Sequence, residues 1–482
     1  MSTTITSTDT LIDEGVFGGK IFIDGEWVDG EGGTAASIEP ATGATLATVG
    51  IAGPGDVARA AEGAARAQKA WAATPHPVRA AVLRRAAQLW EQYAEEIGGW
   101  NTREVGAIPP LAGFALHVTA AECYEASALP SAPLGSILSS EEPRLSLAQQ
   151  IPVGVVGVIS PFNVPLILGI RAVAPALALG NAVILKPDPR TVVTGGVSMV
   201  RIFEEAGLPQ GLLQLVPGGA DVGEAMVADP RVRVIAFTGS TRAGKIVGEL
   251  AGRHLKRAHL ELGGNSAFII REDADVAQAV NLATWGSFLH QGQICMTVGR
   301  HIVHESIFEA YVTALAEKAE SMHVGDPAAG PVHLGPLIDE VQRDRVHTLV
   351  QDAVAQGAEL RAGGTYEDLF YRPTVLANTP KDAAAYCDEV FGPVASVVSY
   401  STDDEAVALA ADTEYGLSLG IVTRDVLGGL AMAQRIPTGI VHINDQTVND
   451  EANSPFGGVG SSGTGSRHGG AQASIDAFTE TR

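Results

Sequence analysis

The sequence predicts an α/β protein, with a doubly wound parallel sheet followed by a second α/β segment. Val153-Gly-Val-Val-Gly-Val-Ile159 is a continuous, mostly β-branched run, as found in strands buried on both faces of a parallel sheet. From there, strand-like runs at Asn181–Pro187, Leu212–Val216 and Val232–Phe237 alternate with helix-like stretches, one after Pro165, then 191–206 and 219–228. That alternation at that spacing is the pattern of βαβ units. After Leu260 it restarts, with a strand at Ala267–Ile270 and a helix over 274–289.

Residues 1–15 are expected to be disordered. Ile21 to Val28 reads as a hairpin turning at Asp24-Gly25, and Glu39 to Gly43 as another turn. Asp56 can cap a helix running to Trp71; further helices are expected over Pro77–Gly98 and 110–128, with Cys123 as packing. None of these carries evident chemistry. Gly135 to Ala148 breaks the helices, and Arg144 to Gln150 alternates like a half-exposed strand, an edge open to pairing with another subunit. Later come a strand at His301–His304, helices over 306–319 and 340–356, and a strand at Pro373–Leu376. Strands at Ala395–Tyr400, Ser418–Val422 and Gly439–Asn444 follow, with Asp403 capping a helix to Asp412. Pro455 to Gly465 is a long Gly-rich loop, of the kind usually kept for function or docking.

A chain of 482 residues suggests two or three domains, and 46% apolar with 18% charged residues suits a large globular core. A net charge of −23 speaks against nucleic acid and anionic membrane as partners. The longest apolar region, Val164 to Leu185, is broken by Arg171, Pro175 and Asn181, so it reads as core and not as a membrane span. The three cysteines, at 123, 295 and 387, are too scattered for a disulfide framework or a zinc site, and no metal is expected. A reducing compartment, with the cytoplasm as default, is the expected home.

The chemistry centres on Gln291-Gly-Gln-Ile-Cys295-Met-Thr297, where one cysteine sits in a Gly-containing connector after a helix. Upstream lies Glu261-Leu-Gly-Gly-Asn265, a carboxylate followed by a flexible turn. A thiol and a carboxylate, each at the edge of an element, are the parts of covalent catalysis with a general base. Ligands on parallel sheets bind at the carboxyl ends of strands, where Asn163, Lys186 and Gly239 fall. Gly239-Ser240 opens a helix and can offer N–H groups to a phosphate, although this is not the G-x-G-x-x-G fingerprint.

Seven stretches together resemble the aldehyde dehydrogenase superfamily: Pro161-Phe-Asn-Val-Pro165, Lys186-Pro187, Phe237-Thr-Gly-Ser-Thr241 with Gly244, Glu261 to Asn265, Gly292-Gln-Ile-Cys295, Glu389-Val-Phe-Gly-Pro393 and Pro455-Phe-Gly-Gly458. They come in that family's order and spacing, from about residue 20 to the end. The resemblance implies that family's fold: a Rossmann-type cofactor domain (1–132 and 151–260), an α/β catalytic domain (261–440) and a small oligomerisation segment (133–150 and 466–482), with 441–465 closing the active site. It implies a homodimer or homotetramer acting on a small-molecule aldehyde. Cys295 would attack the carbonyl, Asn163 and the Cys295 N–H would hold the oxyanion, and Glu261 would activate the hydrolytic water. Lys186, Ser160, Phe162, Gly239, Ser240, Glu389 and Phe391 would hold NAD or NADP. Glu480 weakly matches a glutamate near the family's proton path.

Two positions depart from the family pattern. Phe162 replaces a commoner tryptophan and keeps an aromatic. Pro189 stands where many NAD-preferring members carry a ribose-binding glutamate; Arg190 would attract a 2′-phosphate, while Asp188 would stand in for the glutamate, so NAD is favoured and NADP stays open. Gly169 to Val173, Lys186 to Arg190 and His290 to Thr297 are similar to the benzaldehyde and vanillin dehydrogenase branch. The family's tunnel positions map to Val164, Leu168, Arg171, Trp285, Leu289, Ile294, Met296 and Phe456, a mostly apolar set suited to an aromatic ring. Arg171 would meet a polar ring substituent or form a structural ion pair. An aliphatic aldehyde or semialdehyde substrate is the alternative. A non-catalytic binding protein, or a coenzyme-A-acylating enzyme, fits less well with Cys295, Glu261 and Asn163 all present.

Overall fold

The computed structural model describes residues 10–133, 135–449 and 451–482. Of the expected disordered start, residues 1–9 lie outside that set. Residues 10–15 are ordered, because Leu11 and Ile12 are buried and Asp13 caps a short helix, Glu14–Phe17.

The first sheet has seven strands in the order Arg257–Glu261, Val232–Thr238, Val155–Ile159, Ala182–Lys186, Leu213–Leu215, Lys20–Ile23 and Glu26–Asp29. The first five are parallel; the N-terminal hairpin adds antiparallel at the edge. Asp24 and Gly25, at φ 58° and 88°, make the left-handed turn that this hairpin requires. After Val155–Ile159 the chain builds outward on one side, then returns to place Val232–Thr238 on the other. That reversal opens a crevice at the strands' carboxyl ends.

The second sheet also has seven strands: Glu359–Ala362, Thr374–Ala377, Val394–Tyr400, Val298–His304, Ser266–Ile270, Ser418–Val422 and Ile440–Ile443. Only its first strand is antiparallel. Phe268 and Ile270 enter a buried cluster on one face, Ala267 and Ile269 one on the other, so the strand Ser266–Ile270 is apolar after its first residue. A three-stranded antiparallel sheet joins Gly135–Leu138, Ser146–Pro152 and Thr479–Thr481. Among the described residues, no helix is long and apolar enough to cross a membrane.

Several expectations need correction. The helix expected over Pro77–Gly98 is two, His76–Gln92 and Ala94–Val105, because Tyr93 both ends the first and starts the second. Asp56 lies inside its helix and reaches back to the Gly53 and Glu31 N–H groups. Thr402, not Asp403, caps the helix Asp403–Ala411. The expected edge strand near Arg144 is the middle strand of its sheet, and Gly135–Leu138 and Thr479–Thr481 are the outer ones. Arg257–Glu261 is a strand that the mixed Arg-Ala-His-Leu-Glu pattern conceals.

Candidate active site

The first sheet delivers Asn163 and the second delivers Cys295, and hydrogen bonds tie the two together. Asn163 follows Val155–Ile159 and is buried; its side-chain Nδ2–H donates to Gln293 O at 2.8 Å. Helix Val276–Phe288 leads into the connector, where His290 and Gln291 take left-handed backbone at φ 54° and 57°. Gly292 continues at φ 68°, and a Cβ there would lie 2.0 Å from Gly392 O, so no other residue fits. Gln291 Nε2 donates to Pro336 O at 2.7 Å, and Gln293 Oε1 accepts from Ile338 N–H at 3.0 Å. Cys295 emerges half-buried from this fixed loop.

Glu261 closes strand Arg257–Glu261 and is 4% exposed. The glycines after it make room. A Cβ at Gly263 would meet Glu389 Oε2 at 2.4 Å, and one at Gly264 would meet Cys295 O at 2.3 Å. Burial pushes the Glu261 carboxyl well above the usual range, opposed by the charges of Arg171 and Arg467 and by the backbone N–H of Gly458. That N–H faces the carboxylate without reaching hydrogen-bond geometry, and neither oxygen has a hydrogen-bond partner. Raising the pKa of a carboxyl makes its carboxylate the stronger base, which suits a general base.

A cavity of about 810 Å³ opens between the sheets. Ser160, Phe162, Lys186, Gly239, Ser240, Glu389 and Phe391 all line it, together with Asn163, Leu168 and Cys295. Ser240 caps helix Thr241–Arg253, whose N-terminus faces this space. The Ser160 hydroxyl is buried without a protein partner. Gly264 N–H donates to Glu389 Oε1 at 3.0 Å, and burial pushes that carboxyl up to about 7. Phe391 meets Phe162 edge-on at 5.9 Å. Size, helix N-terminus, the Ser160 hydroxyl and paired aromatic faces all fit a dinucleotide.

Residues not singled out from the sequence shape the same cavity. Arg345 donates to the Val390 carbonyl at 2.7 Å and to that of Glu389, and Gln342 Nε2 donates to Phe391 O at 2.8 Å. Gly218-Gly219, before a helix, lines it too; the strand–turn–helix logic that marks Gly239 would have found that pair. Arg190 is fully engaged. It pairs with Asp188 at 2.9 Å and Asp339 at 2.7 Å, and lies 4.1 Å over the Phe162 ring centroid.

Leu289, Ile294, Met296 and Phe456 pack in one buried apolar cluster with Ala107, Ile108, Leu111 and Leu417, and Cys295 lies against it. Arg171 is buried, holds Glu122 at 3.0 Å and lies over Phe456. The structure does not bring Val164 and Trp285 into this cluster. Val164 packs on the first-sheet core, and Trp285 is 50% exposed on a helix whose opposite face is buried. Ala107, Ile108 and Leu111 sit at the start of a stretch that showed no chemistry in sequence, yet they belong to this cluster. Glu480 lies exposed on the C-terminal strand, paired with Ile151.

The sequence pattern of the aldehyde dehydrogenase family matches residues 27–482. The chain belongs to the aldehyde dehydrogenase family. It is an oxidoreductase acting on aldehydes with a nicotinamide cofactor. It is 63% identical over 473 residues to a vanillin dehydrogenase of an Amycolatopsis species, covering 98% of this chain and 97% of that one. It is 48% identical over 465 residues to an NAD(+) benzaldehyde dehydrogenase of Pseudomonas putida, covering 96% and 95%. A solved betaine aldehyde dehydrogenase of Staphylococcus aureus, in complex with NAD+, superposes with a TM-score of 0.94 at 29% identity, covering 97% of this chain and 94% of that one.

Proposed function

We propose that this aldehyde dehydrogenase oxidises an aromatic aldehyde of the benzaldehyde or vanillin kind to its carboxylic acid, with NAD preferred over NADP. The observation that carries the substrate class is the apolar wall of Leu289, Ile294, Met296 and Phe456 against Cys295. A flat ring fills such a wall without leaving buried polar groups unpaired. The names of the two relatives point the same way. A semialdehyde would want a basic anchor; Arg171 is already held by Glu122 and Phe456, and Arg467 donates to the Gly458, Gly465 and Ser466 carbonyls.

In this reading the Cys295 thiolate attacks the carbonyl carbon. One amide proton of Asn163 is committed to Gln293 O. The other, with the Cys295 N–H, holds the oxyanion. The bound nicotinamide supplies the hydride acceptor. Loss of hydride from the tetrahedral carbon leaves a thioester on Cys295. Glu261 takes a proton from water as it attacks that thioester; the sulfur leaves as thiolate, which releases the acid and restores the nucleophile. Lys186 holds the adenosine ribose, the Gly239-Ser240 turn the diphosphate, and Glu389 the nicotinamide ribose. NAD preference follows from Arg190, whose charge is shared by Asp188 and Asp339 and so offers little to a 2′-phosphate. Residues 1–132 and 151–260 serve as the cofactor domain, 261–440 as the catalytic domain, and 441–465 close the site. Residues 133–150 and 466–482 assemble a homodimer or homotetramer in the cytoplasm.

The test is formation of reduced nicotinamide with benzaldehyde, vanillin, hexanal and succinic semialdehyde, each with NAD and NADP. Preference for the aromatic pair with NAD is expected. Preference for hexanal or the semialdehyde would discard the substrate class and leave the chemistry standing.

A further inference from the structure

His290 is a buried, titratable side chain that the mechanism above leaves unused. It is fully inaccessible and sits at φ 54°, in the left-handed region that few non-Gly residues adopt. Its Nε2 lies 2.8 Å from the backbone carbonyl of Asn163. A carbonyl only accepts, so the proton is on Nε2 and Nδ1 is the bare nitrogen. Nδ1 is buried without a protein partner. For packing alone, an apolar residue would avoid the unpaired nitrogen. Strain of this kind, held in place by its surroundings, gathers at functional sites.

Asn163 is thereby gripped at both ends. His290 holds its carbonyl, and Gln293 O takes one proton of its amide. Both grips come from the connector that carries Cys295, and Gln291 and Gln293 bolt that connector to Pro336 and Ile338. Two anchors from one rigid segment fix the position and plane of the Asn163 amide relative to the sulfur. An oxyanion donor is effective only when it is already aimed where the charge develops.

We propose that His290 is a positioning residue of the oxyanion hole, acting on the reaction through Asn163. This rests on the roles given above to Asn163 and Cys295. His290 stays neutral in this task, and burial pushes its ring down to about 4, so it carries no charge at working pH.

The test is a double-mutant cycle on acylation of Cys295 by 4-nitrophenyl acetate, followed as the burst of nitrophenolate. The thiolate adds to the ester carbonyl, nitrophenolate leaves, and an acetyl thioester remains. This needs an oxyanion hole but neither cofactor nor a particular aldehyde. His290→Met, similar in length and without a donor, is expected to slow the burst by about tenfold or more. His290→Gln keeps an N–H and is expected within about threefold of wild type. In an Asn163→Ala background, His290→Met is expected to cost less than about threefold. An equal loss in both backgrounds, or no loss in either, overturns the proposal. A wild-type burst that survives Cys295→Ala would instead overturn the underlying assignment of the nucleophile. Were His290→Met not to fold, His290→Asn, too short to reach the carbonyl, enters the same cycle with the same outcomes.

Discussion

The guanidinium of Arg171 lies 4.9 Å over the ring centroid of Phe456, while its Nε holds Glu122 at 3.0 Å. Both members of that ion pair are 4% exposed. One side chain thus faces the substrate wall and a buried carboxylate at once, and its charge also opposes the burial that raises Glu261. Arg171→Met is expected to have two separable effects. It takes the guanidinium away from Glu122, which costs about 3–5 kcal/mol when one partner of a buried pair is removed, and lowers the melting temperature. It also removes a positive charge near Glu261. The base works as carboxylate and is lost below its folded pKa; raising that pKa moves the acid limb of turnover to higher pH. Arg171→Met with Glu122→Gln is expected to recover stability and keep the shifted limb. A kcat–pH profile that stays in place would sink the electrostatic part.

Cys295→Ala is expected to abolish aldehyde oxidation while NAD still binds, measured by calorimetry. Glu261→Gln is expected to leave the first-turnover burst of reduced nicotinamide and slow steady turnover by roughly 100-fold or more, in line with losing a general base. Unchanged steady turnover in Glu261→Gln would remove Glu261 from that role, and activity in Cys295→Ala would remove the thiol.

Most of the frame was legible because burial on both faces leaves a plain signature. Val155–Ile159, Ala182–Lys186 and Ser266–Ile270 read as strands since, Lys186 at a strand end apart, every side chain had to be apolar or small. Arg257–Glu261 escaped because an edge strand with one wetter face mixes charge into its pattern. The motif residues of the cofactor cavity were legible one by one. What was not legible depends on contacts across long stretches of chain. The grip of Asp339 on Arg190 is one case, and the packing of Ala107 and Ile108 beside Met296 another. Trp285 shows the converse: its position follows from helix phase, which a motif match does not read.

Glu389 offers a test in pH. Burial raises its carboxyl to about 7, so it gains charge as pH rises through that value. The ionised form is the better acceptor for ribose hydroxyls. The Kd for NAD is therefore expected to fall several-fold between about pH 6 and about pH 8, and this slope is expected to vanish in Glu389→Gln. A slope that persists in Glu389→Gln would mean that another group sets it.

Cofactor choice is expected to hang on Arg190. With Asp188→Asn and Asp339→Asn together, its guanidinium loses both carboxylate partners and regains an unshared charge at the rim of the cavity. The ratio of kcat/KM for NADP over NAD is expected to rise about tenfold, the equivalent of roughly 1.4 kcal/mol. Adding Arg190→Ala is expected to cancel the gain. A ratio that does not respond would place the discrimination elsewhere in the cavity.

Assembly is expected to run through the three-stranded sheet. Ile137 and Leu147 sit opposite each other across two of its strands, and Leu145 comes just before the second of them. They are 78%, 55% and 74% exposed. Three large apolar side chains side by side in water mark a surface meant to be covered. A second copy of the chain is the natural cover, since the outer strand Gly135–Leu138 also keeps one backbone edge unpaired among the described residues. Ile137→Lys with Leu147→Lys puts two like charges on that face without touching the cavity. The particle mass by light scattering is expected to drop to a smaller assembly or a monomer. A wild-type protein that already runs as a monomer would end this line of argument, and an unchanged oligomer would move the interface to another face.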